Sequence, residues 1–175
     1  MKKIFFVVFL LCLSLTIHAQ IQRNFWGLEL GRSTKTDVIN LLSSNGLEYN
    51  QNLEGLDVIS INDDVLSFGG YSWGGGFLFY HNILFRVTLM RIHLGFSSSG
   101  ESYEIDTKYI FNDLKSKLNK KYNNLENPLI GQSQNHYVRR DNQTVIEMIM
   151  DSEGNLILDY YDRKLAKAST EGYDL

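Results

Sequence analysis

The chain has 175 residues, with 17 Lys and Arg against 20 Asp and Glu and a formal net charge of −3. So mild an acidity gives no electrostatic reason to seek nucleic acid or an anionic membrane. The length suits one domain able to bury a core without disulfides, and the single cysteine, Cys12, excludes an internal one.

The first 19 residues run in the order of a secretory signal: Lys2 and Lys3, an apolar run from Ile4 to Leu13, then the small residue Ala19 before Gln20. The run is too short for a comfortable membrane span. The sequence therefore predicts a signal peptide over 1–19 and a mature domain over 20–175, exported to the periplasm or beyond the cell, with no stable membrane insertion. Cys12 leaves with the leader, and thiol chemistry leaves with it. Leu11, where a lipidated cysteine wants a small residue, argues against a lipid anchor. Without Lys2 and Lys3 the 17 basic side chains become 15 against 20 acidic.

In the mature part, FWGLELGRSTKTDVINLL opens the fold. Phe25, Trp26, Leu28 and Leu30 form an apolar segment that stops at Gly31. Ser33 or Thr34 then caps a helix, with Asp37 three residues past Thr34 as a capping box. Val38, Leu41 and Leu42 recur at helical spacing, and Asn45-Gly46 supplies a left-handed stop. An anion site at this helix start needs a richer glycine loop than Gly27 and Gly31 with Lys35 provide, so capping is the reading adopted.

The period then changes to two. Leu56–Ile61, Phe77–Tyr80 and Ile83–Ile92 are rich in β-branched and aromatic residues, and His81-Asn82 reads as a hairpin turn. In the longest of these Phe85, Val87 and Leu89 face one way, while Arg86 and Thr88 face the other. After the polar link Phe96–Ser102, Asp106 caps a second helix in which Phe111, Leu114, Leu118 and Tyr122 share a face. Asp113 and Lys117 pair at i,i+4. A meander follows: NHYVRR, a turn at Asp141-Asn142, QTVIEMIM, a turn through Ser152, Glu153 and Gly154, and NLILDYYD.

Helix then strands thus occurs twice, over about 24–95 and 103–165. Runs of strands joined by hairpin-sized turns argue for α+β with antiparallel sheet. The expected fold is one two-layer domain, a pseudo-repeat of two helix-plus-antiparallel-sheet units with both helices on one face.

Gly27–Leu42, with its G-x-x-L-G and its S/T and D before a V-I-x-L-L helix, resembles the opening of small exported bacterial proteins with the fold of the β-lactamase inhibitory protein, a shape related to the small lipoprotein of outer-membrane assembly. GGYSWGGGFLFYHNILFRV and YIFNDLKSKLNKKY resemble later segments of uncharacterised secreted families of this kind. The resemblance implies a helix-plus-sheet unit, possibly in tandem, and a tendency toward protein binding. The chain departs from the lipoprotein member in lacking the lipidated cysteine.

Catalytic motifs are thin. His81, His93 and His136 stand in no HExxH or HxxxH arrangement, so no metal site and no cofactor is expected. Ser72 sits in no G-x-S-x-G elbow. Asp151, Glu153 and Asn155 fit a hairpin turn better than a calcium loop, which lacks its closing Glu. Asp63-Asp64 reads as a solvated loop.

The candidate contact residues are Tyr71 and Trp73, set among the five glycines of GGYSWGGG. Glycine admits close approach, and aromatic rings give contact area at low entropy cost. The competing reading is a bulged strand whose aromatics fill the core. The functional expectation is an exported, non-catalytic module that binds a protein or peptide through its open sheet face or this glycine segment. The alternatives are a small-ligand or glycan-binding protein, or a hydrolase using scattered Asp, His and Tyr residues.

Overall fold

A computed structural model of the chain describes residues 20–51, 57–96, 102–127 and 134–171. The expected leader 1–19 with Cys12, Leu56 of the first expected strand, and most of the polar link lie outside the described residues.

The described chain opens with a short antiparallel pair, β1 (Asn24–Phe25) and β2 (Leu28–Glu29), turning through Trp26 and Gly27. Helix α1 spans Lys35–Ser44 and starts as the sequence predicts. Thr34 Oγ1 accepts from the Asp37 amide at 3.2 Å, and the Asp37 carboxylate accepts from the Thr34 amide at 2.7 Å. The stop is also as expected: the Gly46 amide reaches Ser43 O at 3.1 Å with Gly46 at φ +66°. Its buried residues are Val38 and Leu42, while Leu41 packs half-buried at the margin.

Seven strands form one antiparallel sheet in the order β3 (Asn50–Gln51), β4 (Val58–Phe68), β5 (Tyr71–Tyr80), β6 (Ile83–Arg91), β11 (Leu156–Asp162), β10 (Thr144–Met150), β9 (His136–Arg140). β7 (Leu94–Phe96) and β8 (Ser102–Glu104) make a separate hairpin. The β5–β6 turn uses His81 and Asn82, both left-handed at φ +48° and +66°, which is the twist a two-residue hairpin needs. Helix α2 (Thr107–Tyr122) is capped by the Asp106 carboxylate, which accepts from the Tyr109 amide at 2.8 Å. Lys117 meets Asp113 at 2.6 Å, and this bond first of all holds the Asp113 carboxyl below its usual range. The turn at 151–155 is tied by the Asp151 carboxylate, which accepts from the amides of Glu153 and Asn155.

The two meanders meet at β6 and β11, the last strand of each. Strand alternation sorts the side chains into two faces. Ile59, Ile61, Trp73, Phe77, Val87, Leu89, Ile146, Met148, Leu158 and Tyr160 form one buried cluster with Phe25, Leu30, Val38, Leu42, Ile110, Leu114 and Leu118. The two expected helices and the N-terminal segment therefore cover the same inner face.

The other face is not left bare, and this corrects the two-layer expectation. Asp162 ends β11 and at once caps a third helix, α3 (Arg163–Glu171), accepting from the Leu165 amide at 2.9 Å. α3 folds back over part of the outer face, where Val58, Phe85, Val138 and Val145 are buried outside the main cluster. Asp162 also grips the N-terminal segment. Its Oδ2 lies 2.6 Å from Arg23, whose guanidinium further donates to Thr144 Oγ1 at 2.8 Å and Leu30 O at 2.6 Å.

Candidate functional site

Trp73 and Tyr71, the residues singled out from the sequence, lie on β5 and not in a loop. Trp73 is fully buried on the inner face, and its indole Nε1 donates to Phe68 O at 3.0 Å. Its ring is core, as the competing reading had it, and presents no contact surface. Tyr71 is half-buried and bonds α2: its hydroxyl donates to the Asp113 carboxylate at 2.8 Å, with Lys117 5.4 Å from the ring centroid. Burial, and then that bond, pushes the Tyr71 hydroxyl up to about 12.

The glycines have packing reasons of their own. Gly69 and Gly70, at φ +64° and +92°, make the β4–β5 turn, and a Cβ on Gly69 stands 2.5 Å from Leu114 Cδ2. A Cβ on Gly75 stands 2.1 Å from Thr88 O, so β5 approaches β6 there as only glycine allows. Asp64, expected in a loop, lies on β4 at a register shift between Ile61 and Leu66. It accepts from the Gly74 amide at 3.0 Å and pairs with Arg91 at 3.2 Å.

The sequence pointed to an open sheet face but named none of the residues on the outer face beside α3. Register sets Ser60, Gly76, Thr88, Asp159 and Glu147 in one row across five strands. A neighbouring row holds Gly74, Met90, Ile157, Ile149 and His136. Thr88 Oγ1 donates to Asp159 Oδ1 at 2.5 Å, His136 Nε2 lies 2.8 Å from Glu147 Oε1, and the Arg86 guanidinium stacks 4.9 Å over the Tyr161 ring. Burial pushes the Asp159 carboxyl up and the Glu147 charge adds to it, against the Thr88 bond and the Arg86 charge. A carboxylate held so costs the fold stability, and such costs concentrate at functional sites.

Apolar residues border this row. Met90 is 42% exposed, and Val65 on β4 and Ile92 just past β6 are exposed at 43% and 55%. The signal was present as Glu147 and Asp159, each a charged residue interrupting a largely apolar strand. Their convergence depends on inter-strand register, which single-strand patterns do not carry.

His81 is exposed in its turn, and His93 sits with its Nδ1 2.9 Å from Ile105 O. The three histidines do not converge. Among the described residues no group of three His, Cys, Asp or Glu side chains is placed to hold a metal ion, and no helix is long and apolar enough to cross a membrane. No known family, curated protein or solved structure matches this chain. The likeness to the β-lactamase-inhibitory-protein fold rests on the short motifs alone.

Proposed function

We propose that this protein is an exported, non-catalytic module that binds a protein or peptide through the uncovered part of its outer sheet face. The observation that carries the reading is the strip beside α3, where exposed Met90, with Ile157 and Ile149, borders the polar row of Thr88, Asp159 and Glu147. Apolar contact area beside oriented hydrogen-bonding groups is the make-up of a recognition surface. The leader-like residues ahead of Gln20 support export. The order of helix then meander in both halves, about 24–95 and 103–165, supports reading them as one unit used twice.

A hydrolase reading has one observation in its favour, the adjacent carboxylates Asp159 and Glu147 in unlike surroundings. The test for the binding reading compares the mature protein with its Met90→Arg variant as bait against envelope and medium fractions. A protein captured by the parent and lost about tenfold by the variant supports it, in line with loss of a contact residue. Equal capture by both removes the outer face as the site.

A further inference from the structure

The body of the protein takes hold of its chain at Ile21. That side chain is 2% exposed, and its amide donates to Asp141 Oδ2 at 2.7 Å. The next two residues are tied as well: the Gln22 amide reaches the Tyr122 hydroxyl at 3.2 Å, and Arg23 meets Asp162 at 2.6 Å. Gln20, one step earlier, is exposed, and its side chain makes no hydrogen bond among the described residues. The proposed cut after Ala19 therefore falls just outside the first clamped residue. It leaves a free α-amine on a glutamine whose own side chain is unrestrained.

Gln20 borders a cavity of about 330 Å³ together with Leu125, Glu126, Arg140, Asp141 and Arg163. Both acids there are engaged. Glu126 takes Arg140 through Nε at 2.6 Å and through Nη2, while Asp141 Oδ1 accepts from the Gln143 and Thr144 amides at 2.8 and 2.7 Å and Oδ2 holds Ile21. Arg163 donates to Asp141 O at 2.7 Å. An α-ammonium on Gln20 thus has no acid of its own and shares the cavity with two guanidiniums, and like charges favour the neutral amine. An ordinary α-amino group already titrates at about 7.7 to 8.0, so the nucleophilic form is present at neutral pH.

We propose that Gln20 is a modification site, closed after export into a pyroglutamyl residue. The neutral α-nitrogen attacks the side-chain Cδ: an N–Cδ bond forms and the Cδ–Nε2 bond breaks. The proton lost by the α-nitrogen leaves on Nε2 as ammonia, so nothing is oxidised or reduced and no co-reactant is consumed. The product is an uncharged lactam at the start of the chain, and an aminopeptidase finds no free amine ahead of the clamp at Ile21. The inference rests on the export reading, through the cut after Ala19, and is independent of any partner for the outer face.

The test is intact mass and N-terminal sequencing of the protein taken fresh from the producing cell's envelope and medium. The expected mass is that of a start at Gln20 less one ammonia, with sequencing blocked. Pyroglutamyl peptidase acting on the denatured protein is expected to open the chain to a reading of Ile21, Gln22 and Arg23. Gln20→Glu, whose carboxylate is a poor electrophile, is expected to keep its full mass and to sequence from position 20. A start at Gln20 that keeps its ammonia overturns the inference and leaves export standing. A lactam that accumulates only on storage after purification overturns it as well, and so does a block that persists in Gln20→Glu. A chain not cut before Gln20 overturns both readings. If Gln20→Glu is not exported, the mass of the parent decides.

Discussion

Replacing Trp73 with alanine tests whether GGYSWGGG is core or contact surface. The indole is 0% exposed, pairs across strands with Leu66, and shares its cluster with Phe77 and Leu114. Truncation removes all of that packing and the Nε1 bond to Phe68 O at 3.0 Å. Core Trp→Ala changes cost about 3 to 5 kcal/mol, against a total near 5 to 15 kcal/mol for a domain. At about 2 to 4 °C per kcal/mol for a chain of this size, the melting temperature falls by roughly 6 to 20 °C. Urea denaturation followed by far-ultraviolet circular dichroism measures the loss. In a Trp26→Phe background, Trp73 fluorescence is expected to be blue-shifted and resistant to iodide. A loss under about 0.5 kcal/mol, the range of surface changes, together with ready quenching would refute the placement of Trp73 in the core.

Three further outcomes are expected. Asp159→Asn should stabilise the protein at pH 7: burial raises the native pKa above the ordinary carboxyl value of 3.8, so the ionised native form carries a penalty that protonation relieves. Its advantage over the parent, read from melts across pH, should shrink as pH falls through the raised pKa and vanish below about 3.8; an advantage independent of pH contradicts this. Arg23→Ala should cost roughly 2 to 4 kcal/mol, somewhat under a fully buried pair because the Arg23 and Asp162 side chains keep 20% and 12% of their exposure; an unchanged urea midpoint contradicts it. Intact mass of the exported protein should correspond to a start at Gln20, and recovery of the full-length chain contradicts cleavage.

Local signals were legible where the chemistry was local. Thr34 with Asp37, Asp106, Asn45-Gly46 and His81-Asn82 each specify a cap or turn through bonds or dihedrals within a few residues, and each appears as the sequence indicates. The helix periodicity was right to within a residue: Leu114 is buried, but on α1 the deepest positions are Val38 and Leu42 and not Leu41. Three features were not legible. The glycine-rich run left a contact segment and a bulged strand as competing readings, because the close pass of Gly75 by Thr88 O that demands glycine there is a contact between strands. RKLAKASTE has one large apolar residue and begins with no loop after β11, so α3 lacks the usual helix signature. The row of Thr88, Asp159 and Glu147 exists only through the pairing of β6 with β11 across a long separation and through the register of the β10–β11 hairpin.

The most direct test of the binding account is site-specific photo-crosslinking in the producing cell. A photoreactive residue is placed at Met90 and, separately, at Ile157 on the outer strip, with exposed Ser43 on α1 as the control. The account expects the same partner adduct from positions 90 and 157 and none from 43. Absence of adducts from both strip positions, or the same adduct from position 43, would contradict it.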